Sequence, residues 1–128
     1  MENELHIRGI AIDCDDIDEL ANFYSRITHQ PISYQSEEFA CLNLSTYWLT
    51  FQRVDNYVEP TWPSSTSPKQ FHLEIWTDDI DSAEVLVLEY GATKSAVQPS
   101  LDDSWRVFVD PAGHPFCLTK NIPDPASS

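Results

Sequence analysis

The chain has 128 residues, 41% hydrophobic and 22% charged, an ordinary globular balance in a length that can bury a proper core. Its 21 acidic against 7 basic residues leave a formal charge of −14, which opposes binding to nucleic acid phosphates or anionic membranes and favours a neutral or cationic partner. Cys14, Cys41 and Cys117 are odd in number and widely spaced, no apolar run nears the ~18 residues of a bilayer span, and Met1 to Glu4 is acidic. The expectation is a cytoplasmic protein with no disulfide framework, no membrane and no nucleic-acid partner.

Leu5 to Cys14 alternates and is rich in isoleucine, which predicts a strand, and Asp15-Asp16 ends it. Asp16 is a helix N-cap with Glu19 at the third position, and Ile17, Leu20, Ala21, Tyr24 and Ile27 form one apolar stripe that ends near Thr28-His29, before Pro31. Pro31 to Tyr34, Phe39 to Leu44 and Tyr47 to Val54 read as three short strands. Residues 55–70, with Pro60, Pro63 and Pro68, form a connector of little regular structure, to which Trp62 serves as an anchor.

The pattern then starts again. Ile75-Trp-Thr-Asp-Asp-Ile-Asp81 matches Ile12-Asp-Cys-Asp-Asp-Ile-Asp18 at a constant offset of 63 residues, close to half the chain. Phe71 to Thr77 is the repeated strand, and Asp79 caps a helix with Ile80, Ala83, Val87 and Leu88 inward and Gly91 at its end. Ala92 to Val97, Trp105 to Val109 and Pro115 to Lys120 follow as strands, the last two joined by a type I turn over Asp110 to Gly113. The fold class predicted is α+β: two βαβββ units, residues 5–54 and 71–121, sharing one core in a single domain 1–121, with 122–128 as a flexible tail.

Alternation assigns faces. Ile10 and Ile12 are expected beneath the first helix, with Gly9, Ala11 and Asp13 on the open face; Leu73 and Ile75 beneath the second, with His72, Glu74 and Trp76 open. In the closing strands Leu49, Phe51, Phe116 and Leu118 point to the core, while Thr50, Gln52, Cys117 and Thr119 face away. The two acidic pairs read as helix caps, Asp102-Asp103 as a solvated loop and His114 as a turn residue. The three glycines lie too far apart for a phosphate-cradling loop.

The run Asp15-Asp-Ile-Asp-Glu-Leu-Ala-Asn-Phe-Tyr24, the stretch Phe71-His-Leu-Glu-Ile75 leading to Asp78-Asp-Ile-Asp81, Gly91-Ala-Thr93 and Asp110-Pro-Ala-Gly-His-Pro-Phe-Cys-Leu118 together resemble the vicinal oxygen chelate superfamily of glyoxalases, bleomycin-resistance proteins and extradiol dioxygenases. Phe51 to Val54 and Pro60 to Pro63 are similar to its bacterial glyoxalase-like branch. The resemblance implies a curled mixed sheet around a cup with helices outside, a homodimer, and metal-ligand positions at Gly9, Thr50, His72 and Cys117. Only His72 matches the usual ligand types there, with Cys117 a chemically possible substitute. A catalytic metal normally takes three protein ligands, so no cofactor is expected, and His72 and Cys117 remain the candidate ligands for a divalent metal.

Three functions follow as expectations. The first is a glyoxalase-like protein that binds a small molecule in the cup without a complete catalytic metal site, either as a binder alone or as a lyase or isomerase with His72 as general base. The second sequesters a cationic drug without turnover, in an acidic and aromatic cup. The third is a metal-dependent lyase or dioxygenase with an atypical site. The ligand-binding candidates are Asp13, Trp48, Thr50, Gln52, His72, Glu74, Trp76 and Cys117.

Overall fold

A computed structural model describes residues 6–63 and 71–121. The predicted strand start at Leu5, the later part of the connector and the tail 122–128 lie outside them. The chain divides into two compact units, Met1–Tyr57 and Val58–Ser128.

The first unit runs β1 (Gly9–Cys14), α1 (Ile17–Thr28), β2 (Ile32–Gln35), β3 (Phe39–Asn43) and β4 (Trp48–Arg53), its sheet ordered β1-β4-β3-β2. The second runs β5 (Leu73–Trp76), α2 (Ile80–Glu89), β6 (Thr93–Lys94), β7 (Trp105–Val109) and β8 (Pro115–Thr119), ordered β5-β8-β7-β6. In each sheet the opening strand lies parallel to the closing strand and every other pair is antiparallel. The fold is therefore α+β, built from two βαβββ units with one four-stranded mixed sheet each.

The repeat also sets the ladders. Ala11 faces Thr50 in the first sheet as Glu74 faces Cys117 in the second, and Ile12 faces Phe51 as Ile75 faces Leu118. The offset grows from 63 residues at the opening strands (Ile10 to Leu73) to 66 at β3 and β7 (Ala40 to Arg106) and 67 at the closing strands (Leu49 to Phe116), so three extra residues fall between the start of α2 and β7 and one in the turn of the last hairpin.

Each helix starts on the second aspartate of its acidic pair. Asp16 accepts the Glu19 amide at 3.0 Å, and Asp79 accepts the Ser82 amide at 3.2 Å and the Ser82 hydroxyl at 2.7 Å, satisfying donors that a helix start leaves open. α1 ends at His29, held in the left-handed region at φ 57°, and α2 closes through Gly91 at φ 118°, with the Ala92 amide bonded to the Val87 carbonyl. α1 buries Ile17, Leu20, Ala21, Phe23 and Tyr24 over β3 and β4, and Tyr24 stacks on Phe51 with centroids 5.4 Å apart. Burial of such side chains is worth about 1.5–3 kcal/mol each.

Three expectations are corrected here. Ile10 does not lie under α1: it is 45% exposed, because β1 is the edge strand and the helix packs chiefly over β3 and β4. Leu88 is exposed as well, since at 3.6 residues per turn it stands ~100° round from the buried Val87. The strand predicted over Ala92 to Val97 shrinks to Thr93–Lys94, because Gln98 takes over the edge of β7: its side-chain carbonyl accepts the Val107 amide at 2.9 Å and its amide donates to the Val107 carbonyl at 2.8 Å.

Candidate functional site

Sheet register decides which side chains share a face, and it places the candidates in two groups, one per unit. In the first, β1 carries Asp13 opposite Gln52, and β4 carries Trp48, Thr50 and Gln52 on the face away from α1. Trp48 and Gln52 are exposed, Thr50 is half-buried, and its Oγ1 lies 3.4 Å from Cys41 Sγ on the neighbouring strand. The same face holds Tyr34 and Phe39, exposed and stacked at 5.0 Å. Those two and Cys41 were absent from the candidate set. The pairing of β2 and β3 with β4 puts them there, and their alternation along the two strands was the available signal.

Gly9 stands opposite Trp48, next to the 2.7 Å hydrogen bond from the Trp48 amide to the Arg8 carbonyl. A Cβ on Gly9 would lie 2.8 Å from the Trp48 carbonyl oxygen and 3.2 Å from the Trp48 Cβ. The two backbones come so near at this point that only glycine fits without a shift.

In the second group, His72 enters β5 and Glu74 and Trp76 continue along the same face. His72 Nε2 lies 3.8 Å from Glu74 Oε1, and the side chains are 31% and 56% exposed. That separation is beyond hydrogen-bond length and within ion-pair range once the imidazole is protonated. Trp76 is 57% exposed, opposite Thr119. Cys117 lies opposite Glu74 and Val107 on the face away from α2, yet it is only 6% exposed, as is Thr119. Every residue of β8 is buried, so both faces of that strand are covered. The nearly unbroken apolar run Pro-Phe-Cys-Leu was the available sign of two-sided burial.

The turn before β8 is locked by Asp110, a buried carboxylate whose Oδ1 accepts the Ala112 and His114 amides at 2.9 Å each. This is a structural Asx turn, and it accounts for the Asp-Pro-Ala-Gly-His run without chemistry.

The metal positions implied by the resemblance can now be tested against the donors. Gly9 has no side chain and no room for one, Thr50 offers a hydroxyl that keeps its proton near neutral pH, and Cys117 is a buried thiol. Among the described residues, no group of three or more His, Cys, Asp or Glu gathers so as to hold a metal ion. These residues do not fit a catalytic divalent centre, which needs about three protein ligands.

The sequence matches the family model described as "Glyoxalase-like domain" over residues 9–119. The chain belongs to this family. Its fold is that of the vicinal oxygen chelate superfamily, shared with solved structures at low identity. A possible glyoxalase from Bacillus cereus is 16% identical with a TM-score of 0.68, over 91% of this chain and 99% of that one. A glyoxalase/bleomycin resistance protein/dioxygenase family enzyme from Burkholderia phytofirmans is 21% identical with a TM-score of 0.67, over 86% and 94%. The fosfomycin resistance protein FosX from Listeria monocytogenes, solved with Mn(II) and a dihydroxypropylphosphonic acid, is 16% identical with a TM-score of 0.69, over 95% and 93%. No curated protein matches the chain. Among the described residues, no helix is long and apolar enough to cross a membrane.

Proposed function

We propose that this glyoxalase-like chain binds a small organic molecule without a complete catalytic metal site, and that the face of the first sheet bearing Trp48, Thr50, Gln52 and Asp13 supplies the contact. The observation carrying this reading is Trp48: a large indole, 43% exposed, set beside a glycine that offers no covering side chain. Asp13 is the one charged side chain that the register puts on this face. With Trp48, Tyr34 and Phe39 it makes a surface suited to a cationic or aromatic ligand, through cation–π and stacking contact. Sequestration of a cationic compound is therefore favoured over recognition of an anion. The protein is expected to act as a cytoplasmic homodimer.

A second reading, catalysis, rests on His72. Its Nε2 lies 3.8 Å from the Glu74 carboxylate on the same face, so His72 would serve as general base in a lyase or isomerase step with Glu74 beside it to orient the ring.

Thermal-shift screening with cationic glycopeptides, small carbonyl compounds and aromatic acids separates these readings. We expect a shift with cationic or aromatic compounds that Trp48→Ala abolishes and His72→Ala leaves intact. Shifts with acids alone would remove the cation preference, and shifts untouched by Trp48→Ala would remove the site. A ligand that wild-type protein converts and His72→Ala binds without converting would establish catalysis.

A further inference from the structure

The family's first metal position falls on Gly9, and the simplest account of a glycine there is a lost ligand that one substitution could restore. The local geometry says otherwise. Trp48 donates its amide to the Arg8 carbonyl at 2.7 Å, drawing the start of β4 against β1 one residue before Gly9. The atom nearest to a Cβ at position 9 is then main chain, the Trp48 carbonyl oxygen at 2.8 Å, and the next is the Trp48 Cβ at 3.2 Å. A flexible side-chain end could swing away from such a contact. A ladder carbonyl moves only with its strand, and the six-residue register from Gly9–Trp48 to Cys14–Arg53 moves with it.

We infer that position 9 is closed to every residue but glycine by the backbone of Trp48, so the first unit cannot regain a metal ligand there by substitution alone. The glycine is part of the way the sheet is assembled: it lets β1 and β4 close up at the Gly9–Trp48 pair, with no side chain opposite Trp48 on β1. This inference concerns the sheet and stands whether or not a ligand binds the face.

The test uses the full chain and begins with the sign of a thermal shift. At an extended position with room, glycine to alanine raises the melting temperature by restricting the unfolded chain. Here Gly9→Ala is expected to lower it, while Ala11→Ser, on the same face two residues along, leaves it unchanged. The loss at Gly9→Ala should persist in a Trp48→Ala background, because that substitution removes the indole and keeps the carbonyl. Gly9→His should lose stability at least as Gly9→Ala does, and should bind no Ni²⁺ beyond wild type in isothermal titration. A melting temperature at or above wild type for Gly9→Ala overturns the inference. So does equal loss at Ala11→Ser, full recovery in the Trp48→Ala background, or a stably folded Gly9→His that takes up one Ni²⁺ per chain that wild type does not.

Discussion

α1 and α2 lie on corresponding faces of their sheets and are fastened there by different forces. Under α1 the inward position of β3 is Ala40, fully buried beside Phe51, and the helix is held by an apolar stripe with Tyr24 stacked on that phenylalanine. The corresponding position of β7 is Arg106, opposite Leu118. Its guanidinium reaches Asp81 at 2.8 Å and Glu84 at 3.0 Å on α2 and takes both oxygens of Asp103 in the preceding loop, while Lys94 adds a 3.0 Å bridge to Glu84. The hydrogen bonds it donates to Asp103 first and to Asp81 second hold Arg106 still more firmly protonated than a free arginine. The outward residues of the closing strands differ too: Trp48 and Gln52 of β4 stand in the open, whereas Cys117 and Thr119 of β8 are buried, as is Val107 of β7, with Trp76 of β5 still exposed beside them. One repeated plan thus tolerates a change from apolar packing to a charge lock at one position, and from exposed to buried outward residues along the closing strand, while strand order and register stay the same.

Two substitutions probe that contrast. Phe51→Ala should have the largest effect, about 3–5 kcal/mol in urea denaturation, since it opens a cavity in a fully buried stack and the site has little freedom to collapse. A loss under ~1 kcal/mol would mean that packing is not what holds α1. Arg106→Met, which keeps the apolar stem and removes the charge, should cost about 1–3 kcal/mol. That is less than the 3–5 of a broken buried pair, because Asp81 and Asp103 are 85% and 66% exposed and water takes over part of the lost interaction. A double-mutant cycle with Glu84→Gln should show coupling, as Glu84 is the least exposed partner. No loss and no coupling would make the two units alike in their fastening.

Most of the architecture was legible because it rests on local rules that occur twice. The Asp-Asp-Ile-Asp repeat marks both helix starts, and alternation along the closing strands selects Leu49, Phe51, Phe116 and Leu118 as core, all of them buried. What escaped depends on partners distant in sequence. Gln98 completes the edge of β7 with a side chain in place of a strand, and no local pattern announces that. Arg106 sits in an apolar strand at an inward position, a visible conflict whose resolution by Asp81 and Glu84 appears only when α2 is folded over β8. At the site, types and faces of residues could be read off, whereas the closeness of β1 and β4 at Gly9 is a fact of backbone separation that sequence does not carry.

The smallest effect separates the two caps, the feature in which the units look most alike. Asp16 accepts one bond, from the Glu19 amide; Asp79 accepts two from Ser82, amide and hydroxyl. The hydroxyl bond first and the amide bond second hold the Asp79 carboxyl below the usual aspartate value of about 3.9. A folded value below the unfolded one means that Asp79 contributes its full stabilisation above the unfolded value and loses it as pH falls through the folded one. Asp79→Ala should therefore lower the melting temperature near neutral pH, and wild type and variant should converge as pH drops below about 4. Ser82→Ala removes the stronger of the two bonds and should reproduce part of the gap, while Asp16→Ala should cost less than Asp79→Ala. An Asp79→Ala gap that stays constant down to acid pH would show that the carboxylate's charge is not what the cap uses, and equal losses at the two aspartates would mean that the serine adds nothing to the repeat.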